Sequence, residues 1–162
     1  MAIIKGKDYT PTHRELIDRM SMWLERKYNC PVTLLERLGH GGTGESPDIL
    51  AWRADGKSYL IEVKISRSDF HADKHKPWRR NMDDGLGQTR YYAAPKGILK
   101  PEDIPAGWGL LSVTEHQVRE LKQPEAIKQN ETAVRAEMAM LIRALRDLRL
   151  GAVIVQREKG EG

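Results

Sequence analysis

Pro47-Asp48-Ile49-Leu50-Ala51-Trp52 and Tyr59-Leu60-Ile61-Glu62-Val63-Lys64 are two largely apolar runs joined by Arg53-Ala54-Asp55-Gly56-Lys57-Ser58, and how they pair decides what the chain can be. Each is short and bounded by turn residues, the pattern of central strands covered on both faces. Strand side chains alternate, so Glu62 and Lys64 share one face while their apolar neighbours take the other. Whether Asp48 joins them depends on the turn. A two-residue Asp55-Gly56 loop, the commonest hairpin connection, pairs position 48 with 63 and sends Asp48 to the opposite face. A three-residue Ala54-Asp55-Gly56 loop with a left-handed glycine, or an equivalent bulge at Lys57, pairs 48 with 62 or 64 and gathers both acids and the lysine.

Two carboxylates so gathered suit a hard divalent cation. Mg²⁺ takes oxygen ligands and is usually held by one or two carboxylates, with waters and phosphate completing its shell. An ammonium at Lys64 can orient a water or steady phosphate charge. The plainer alternative is a solvated strand face with an ion pair worth a few tenths of a kcal/mol. The surrounding apolar runs weigh against it, because charges in doubly covered strands are costly unless paired or metal-bound.

The residues Pro47, Asp48, Glu62, Val63 and Lys64 resemble the motif of the PD-(D/E)XK nuclease superfamily, a Pro-Asp on one strand followed by acid-x-lysine on the next. The resemblance implies a restriction-endonuclease-like α/β (α+β) core and a metal-dependent DNA endonuclease. It assigns catalysis to Asp48, Glu62 and Lys64, and the metal, Mg²⁺ or Mn²⁺, to Asp48, Glu62 and the backbone carbonyl of Val63. The stretches Ser66-Arg67-Ser68-Asp69-Phe70, Asp73-Lys74, Pro77-Trp78, Arg90-Tyr91-Tyr92 and Gly107-Trp108-Gly109-Leu110-Leu111 resemble the MmcB-like DNA repair branch and related small phage and bacterial nucleases, over roughly positions 30–115. Pro47 and Thr89 depart from that branch, which carries an arginine and an aspartate there. Gln88 and Tyr92 repeat a Gln-x-x-x-Tyr spacing found beside the site in another nuclease branch, and are secondary candidates. For an additional helix-borne acid, Glu15 and Glu36 compete.

Charge is distributed unevenly. The net charge of the chain is +4. Six bases against two acids between Lys64 and Arg80 carry that same excess, so the rest is neutral on balance. Arg67, Lys74, Lys76, Arg79 and Arg80 are therefore candidate DNA contacts, since phosphate neutralisation supplies most non-specific affinity. Trp78 among them can stack on an unpaired base. His71 and His75 stand four apart, but a zinc site needs a further ligand that no HExxH string or cysteine pair supplies. The glycine-rich His40–Glu45 loop lacks the Lys-Ser/Thr ending of a phosphate-binding loop.

With 162 residues, one domain over 1–156 is the natural expectation, followed by a disordered tail at 157–162. The single cysteine, Cys30, excludes an internal disulfide and fits a reducing compartment. No stretch approaches the roughly 18 apolar residues of a membrane span. A cytoplasmic protein with no membrane partner is expected, with DNA as its ligand. A homodimer and contacts to other repair or replication proteins stay open as partners.

Periodicity organises the rest. Thr12 or Thr10 caps a helix with the stripe Leu16, Ile17, Met20, Trp23, Leu24 and Tyr28, ending at Asn29. Strands are expected at Val32–Leu38, Gly109–Val113 and Val118–Leu121, and Tyr91–Pro95 has a buried-strand pattern. Asn130 caps a helix running to Leu150, whose stripe of Ala133, Val134, Met138, Leu141, Ile142, Leu145 and Leu148 is core or a partner surface. The sum is a mixed sheet of four or five strands flanked by helices, with the acid-acid-lysine site at one edge. Beside the nuclease stands an alternative, a non-catalytic DNA-binding or accessory module on the same fold. A structural or interaction protein is more distant.

Overall fold

The computed structural model describes residues 9–35, 46–75 and 85–148. Six strands form one mixed sheet in chain order: β1 (Val32–Leu35), β2 (Ile49–Trp52), β3 (Ser58–Val63), β4 (Thr89–Pro95), β5 (Gly109–Val113) and β6 (Val118–Lys122). Three helices accompany it, α1 (His13–Tyr28), α2 (Arg67–Lys74) and α3 (Glu131–Asp147). The α/β expectation holds, with six strands in place of four or five. The additional strands are the outer ones, β1 and β6, where a half-exposed pattern gives a weak periodic signal.

The β2–β3 turn is the odd-length one. Arg53 and Lys57 close it through an Arg53 N–H to Lys57 carbonyl bond of 2.9 Å, leaving Ala54, Asp55 and Gly56 as the loop. Gly56 lies at φ +85°, a left-handed conformation that costs an L side chain roughly 1–2 kcal/mol. Ile49 therefore pairs with Ile61 and Trp52 with Ser58. The outer pairs β1–β2 and β5–β6 are also antiparallel, whereas β3–β4 and β4–β5 are parallel. The parallel strands β3, β4 and β5 thus end on the same side of the sheet.

Alternation sorts the side chains into two cores. On one face Ile49, Ala51, Tyr59, Ile61, Val63, Tyr91, Ala93, Leu111 and Val113 pack against Leu16, Ile17, Met20 and Leu24 of α1. That helix begins with a capping box between Thr12 and Glu15 and ends on left-handed Asn29. On the other face Leu50, Trp52, Leu60, Tyr92, Ala94 and Leu110 pack against Phe70 of α2 and Ala136, Met140 and Ala144 of α3. Gly87 enters β4 at φ +76°, and a Cβ there would sit 2.5 Å from the Leu60 Cβ, so only glycine passes.

The α3 stripe is resolved by the sheet. Val134, Met138, Ile142, Leu145 and Leu148 lie outward and exposed, while the small Ala133, Ala136 and Ala144 face inward with Met140 and Glu137. Small residues let the helix approach the sheet closely, which an apolar count alone does not reveal. No described helix is long and apolar enough to cross a membrane.

Candidate active site

Asp48 directly precedes β2, so continuing the β2–β3 register sets it opposite Glu62. Its Oδ2 accepts the Val63 N–H at 2.7 Å, which holds the carboxylate against β3. In a ladder the N–H and C=O of one residue point to the same neighbour, so the Val63 carbonyl also faces the Asp48 side. Glu62 and Lys64 share the α2-facing side of the sheet, with Lys64 Nζ 3.5 Å from Glu62 Oε2. Asp48, Glu62 and Lys64 are all buried, at 9, 2 and 4 % exposure.

A third acid, not singled out from the sequence, completes the cluster. Asp73 on α2 is 1 % exposed and lies 3.5 Å through Oδ1 from Lys64 Nζ. The Tyr92 hydroxyl donates to its other oxygen at 2.6 Å. Tyr92 is itself fixed, stacked on Trp108 with centroids 4.5 Å apart and touched edge-on by Phe70 at 5.0 Å. Asp73 and Tyr92 thereby clamp the ammonium from the helix side. Burial lowers the Lys64 pKa, but Glu62 and then Asp73, Asp48 and Asp69 raise it by more, so the net shift is upward and the ammonium stays charged. The available sequence signal was helical spacing: Phe70 and Asp73 stand three apart on one face of α2, and the apolar member marks that face as inward.

His13, the first residue of α1, reaches across to place Nε2 3.6 Å from Asp48 Oδ2. It is the second group that sequence reasoning passed over, because strand and helix are far apart in the chain. Glu15 is corrected from a possible metal ligand to a cap. Its exposed carboxylate accepts the Thr12 N–H at 2.7 Å, the largest cause of its lowered pKa, and the Thr12 hydroxyl at 2.9 Å.

Gln88 is likewise corrected. The β3–β4 register pairs Tyr59 with Thr89, and the Gln88 N–H bonds to Ser58 at the start of β3, so Gln88 lies at the far end of that strand from Glu62. A helix would have brought Gln88 and Tyr92 together one turn apart; in a strand they are separated by about 13 Å. Arg67 is corrected as a free DNA contact, since its guanidinium forks onto Asp103 at 3.0 and 3.1 Å and also reaches the Ile98 carbonyl. That fork, followed by the Lys100 N–H, pulls the Asp103 pKa down to about 2. Glu36, the Lys74 side chain, Lys76, Trp78, Arg79, Arg80 and the tail at 157–162 lie outside the described residues. The site sits on β3, third of six strands, rather than at an edge of the sheet.

No family model matches this sequence, and no curated protein does. Among solved structures, the fold is similar to a protein of unknown function from Silicibacter pomeroyi, with a TM-score of 0.58 at 20% identity, covering 89% of this chain and 98% of that one. At that identity the likeness speaks to the fold alone.

Proposed function

We propose that this chain is a Mg²⁺- or Mn²⁺-dependent DNA endonuclease of the PD-(D/E)XK superfamily, acting in repair, recombination or phage DNA processing. The observation that carries the proposal is the three-residue turn, which sets Asp48 opposite Glu62 with Lys64 on the same face. The donor set fits the ion: two buried carboxylates are hard oxygen ligands, and each retains acceptor capacity beyond a single hydrogen bond. Among the described residues no group of three or more His, Cys, Asp or Glu side chains could hold a metal, so the protein would supply Asp48, Glu62 and the Val63 carbonyl rather than a full cage. When bound, such an ion lowers the pKa of a water and stabilises charge on phosphate oxygens.

The protein groups have defined tasks around that chemistry. Lys64, kept protonated by its acidic neighbours, is a donor only. It orients the attacking water or a phosphate oxygen through Nζ and does not take the proton. Asp73 and Tyr92 position Lys64, and the Val63 N–H fixes the angle of Asp48.

One observation favours the accessory-module reading: Lys64 already bridges Glu62 and Asp73, an ion-pair network that is coherent as pure structure. A cleavage panel separates the two. Branched, nicked, duplex and single-stranded DNAs incubated with Mn²⁺ should yield products with at least one form and none in EDTA. Binding without cleavage across the panel would leave the accessory module standing.

A further inference from the structure

The parallel strands β4 and β5 end beside a second feature that neither the motif nor the charge pattern identified. A cavity of about 350 Å³ opens there, lined by Lys96, Lys100, Arg119, Leu99, Pro101 and Leu121, with Ser112, Thr114 and Gln117 on its polar side. That volume lies within the range of small-ligand pockets. Its floor is mostly apolar and its charged lining is wholly basic. None of Lys96, Lys100 and Arg119 is ion-paired to a described residue; Arg119 Nε donates to the neutral Gln117 Oε1 at 3.1 Å. Asp103, the nearby acid, is instead gripped by Arg67.

Register ties this cavity to the candidate active site. Val63 pairs with Ala93, so Lys64 stands opposite Ala94; Ala94 pairs with Ser112, and Ser112 with Arg119. Residues directly opposite point to the same face, so Lys64 and Arg119 lie in one cross-strand row on one side of the sheet. Three strand spacings separate them, about 14 Å. Ligands of open sheets with parallel strands gather outside the carboxyl ends of those strands, where both features lie. The wall between them is the 96–103 loop, pinned to α2 by the Arg67 contacts with Ile98 and Asp103. Lys96 and Lys100 are therefore carried on an anchored loop.

We infer that this cavity binds one nucleotide of the substrate strand, its phosphate on Lys96, Lys100 and Arg119 and its base over Leu99, Pro101 and Leu121, a few nucleotides from the scissile bond. The inference rests on DNA being the ligand, and it supplies a phosphate contact independent of the Lys76–Arg80 segment. A free nucleotide offers the same chemistry, so the source is separated by experiment.

Binding of a fluorescent oligonucleotide is measured in EDTA for the full chain and for Lys96→Ala/Lys100→Ala/Arg119→Ala. A control variant carries Arg26→Ala/Lys128→Ala/Arg135→Ala, which removes the same charge elsewhere. Thermal melts confirm folding, because all six side chains are exposed. The pocket variant should bind at least about tenfold more weakly, as loss of even one charged hydrogen bond implies. Its slope of log affinity against log salt should fall by roughly 0.7 per lost single-strand phosphate contact, up to about 2. Leu121→Ala should weaken binding with no change of slope. Equal losses in the pocket and control variants would overturn the inference, as would tight binding of free dAMP that depends on the pocket while oligonucleotide binding does not. Mn²⁺ cleavage is scored separately. A wild type that binds through the pocket yet cuts no DNA would remove the nuclease reading and keep this one; cleavage with a pocket variant indistinguishable from wild type would do the reverse.

Discussion

Glu137 is the buried carboxylate on which the α3 docking depends, and its replacement should be the most destabilising single polar change among the described residues. Its Oε1 accepts from the Gly87 N–H at 2.7 Å, the Gln129 amide at 2.6 Å and the Ser58 hydroxyl at 3.0 Å, and its Oε2 accepts from the Trp52 indole at 2.9 Å. Those donors belong to β2, β3, the β4 entry and the segment before α3, so one side chain joins four parts of the fold. Glu137→Ala strands donors in a site that is 6 % exposed. Each hydrogen bond to a charged acceptor contributes about 1.5–3 kcal/mol on deletion, but four sharing one acceptor do not add. Breaking a buried ionic network typically costs about 3–5 kcal/mol, and we take that as the magnitude. For a chain of this length it corresponds to a fall in Tm of roughly 6–20 °C. Glu137→Gln keeps an oxygen for three donors but turns an NH₂ toward the Trp52 indole, and should cost about 1–3 kcal/mol. Urea unfolding followed by tryptophan fluorescence and circular dichroism measures both, with the midpoint moving at constant m. A loss below about 1 kcal/mol for Glu137→Ala would refute the reasoning.

Three further outcomes follow from named contacts. Deleting Ala54 shortens the β2–β3 loop to two residues and slips the register by one, so the variant should unfold or lose Asp48 from the Glu62 face, read by loss of Mn²⁺-dependent activity together with a lowered Tm. The Lys64 pKa is raised in the fold, so its stabilisation is fully present below the ordinary 10.5 and is lost as pH climbs through the higher folded value; the urea midpoint advantage of wild type over Lys64→Met should shrink above that pH and stay flat between pH 7 and 9. If the basic segment tracks the DNA backbone, Arg79→Ala/Arg80→Ala should weaken binding to all sequences alike and reduce the salt slope by up to about 2, whereas an unchanged slope and affinity would return it to a solvated loop.

The centre of this fold was more legible than its periphery. The β2–β3 hairpin could be read because face alternation and loop parity leave few options: once Asp48 and Glu62 must share a face, the loop must be odd, and it is. The α1 stripe and its Thr12 and Asn29 ends were legible for a similar local reason. Asp73 was hidden because its sequence neighbours are charged, and only the position of α2 over the sheet distinguishes it from a solvated acid. Glu137 was hidden in the same way, a carboxylate on the inward face of a helix whose apolar residues point outward. Gln88 was misplaced because a four-residue spacing means one turn in a helix and a whole strand length in β4. The six-strand order depends on non-local pairing, which local periodicity does not encode.

The central claim is that Asp48, Glu62 and Lys64 form a hydrolytic site. Its most direct test compares wild type and Asp48→Asn on whichever DNA the wild type cleaves in Mn²⁺, with cleavage and affinity measured on the same preparations. The amide oxygen of asparagine can still accept the Val63 N–H, so the fold should survive. We predict that Asp48→Asn loses cleavage while binding DNA as tightly as wild type or more so, since one negative charge near the phosphate is gone. Normal cleavage by purified Asp48→Asn would contradict the account and put catalysis elsewhere in the chain.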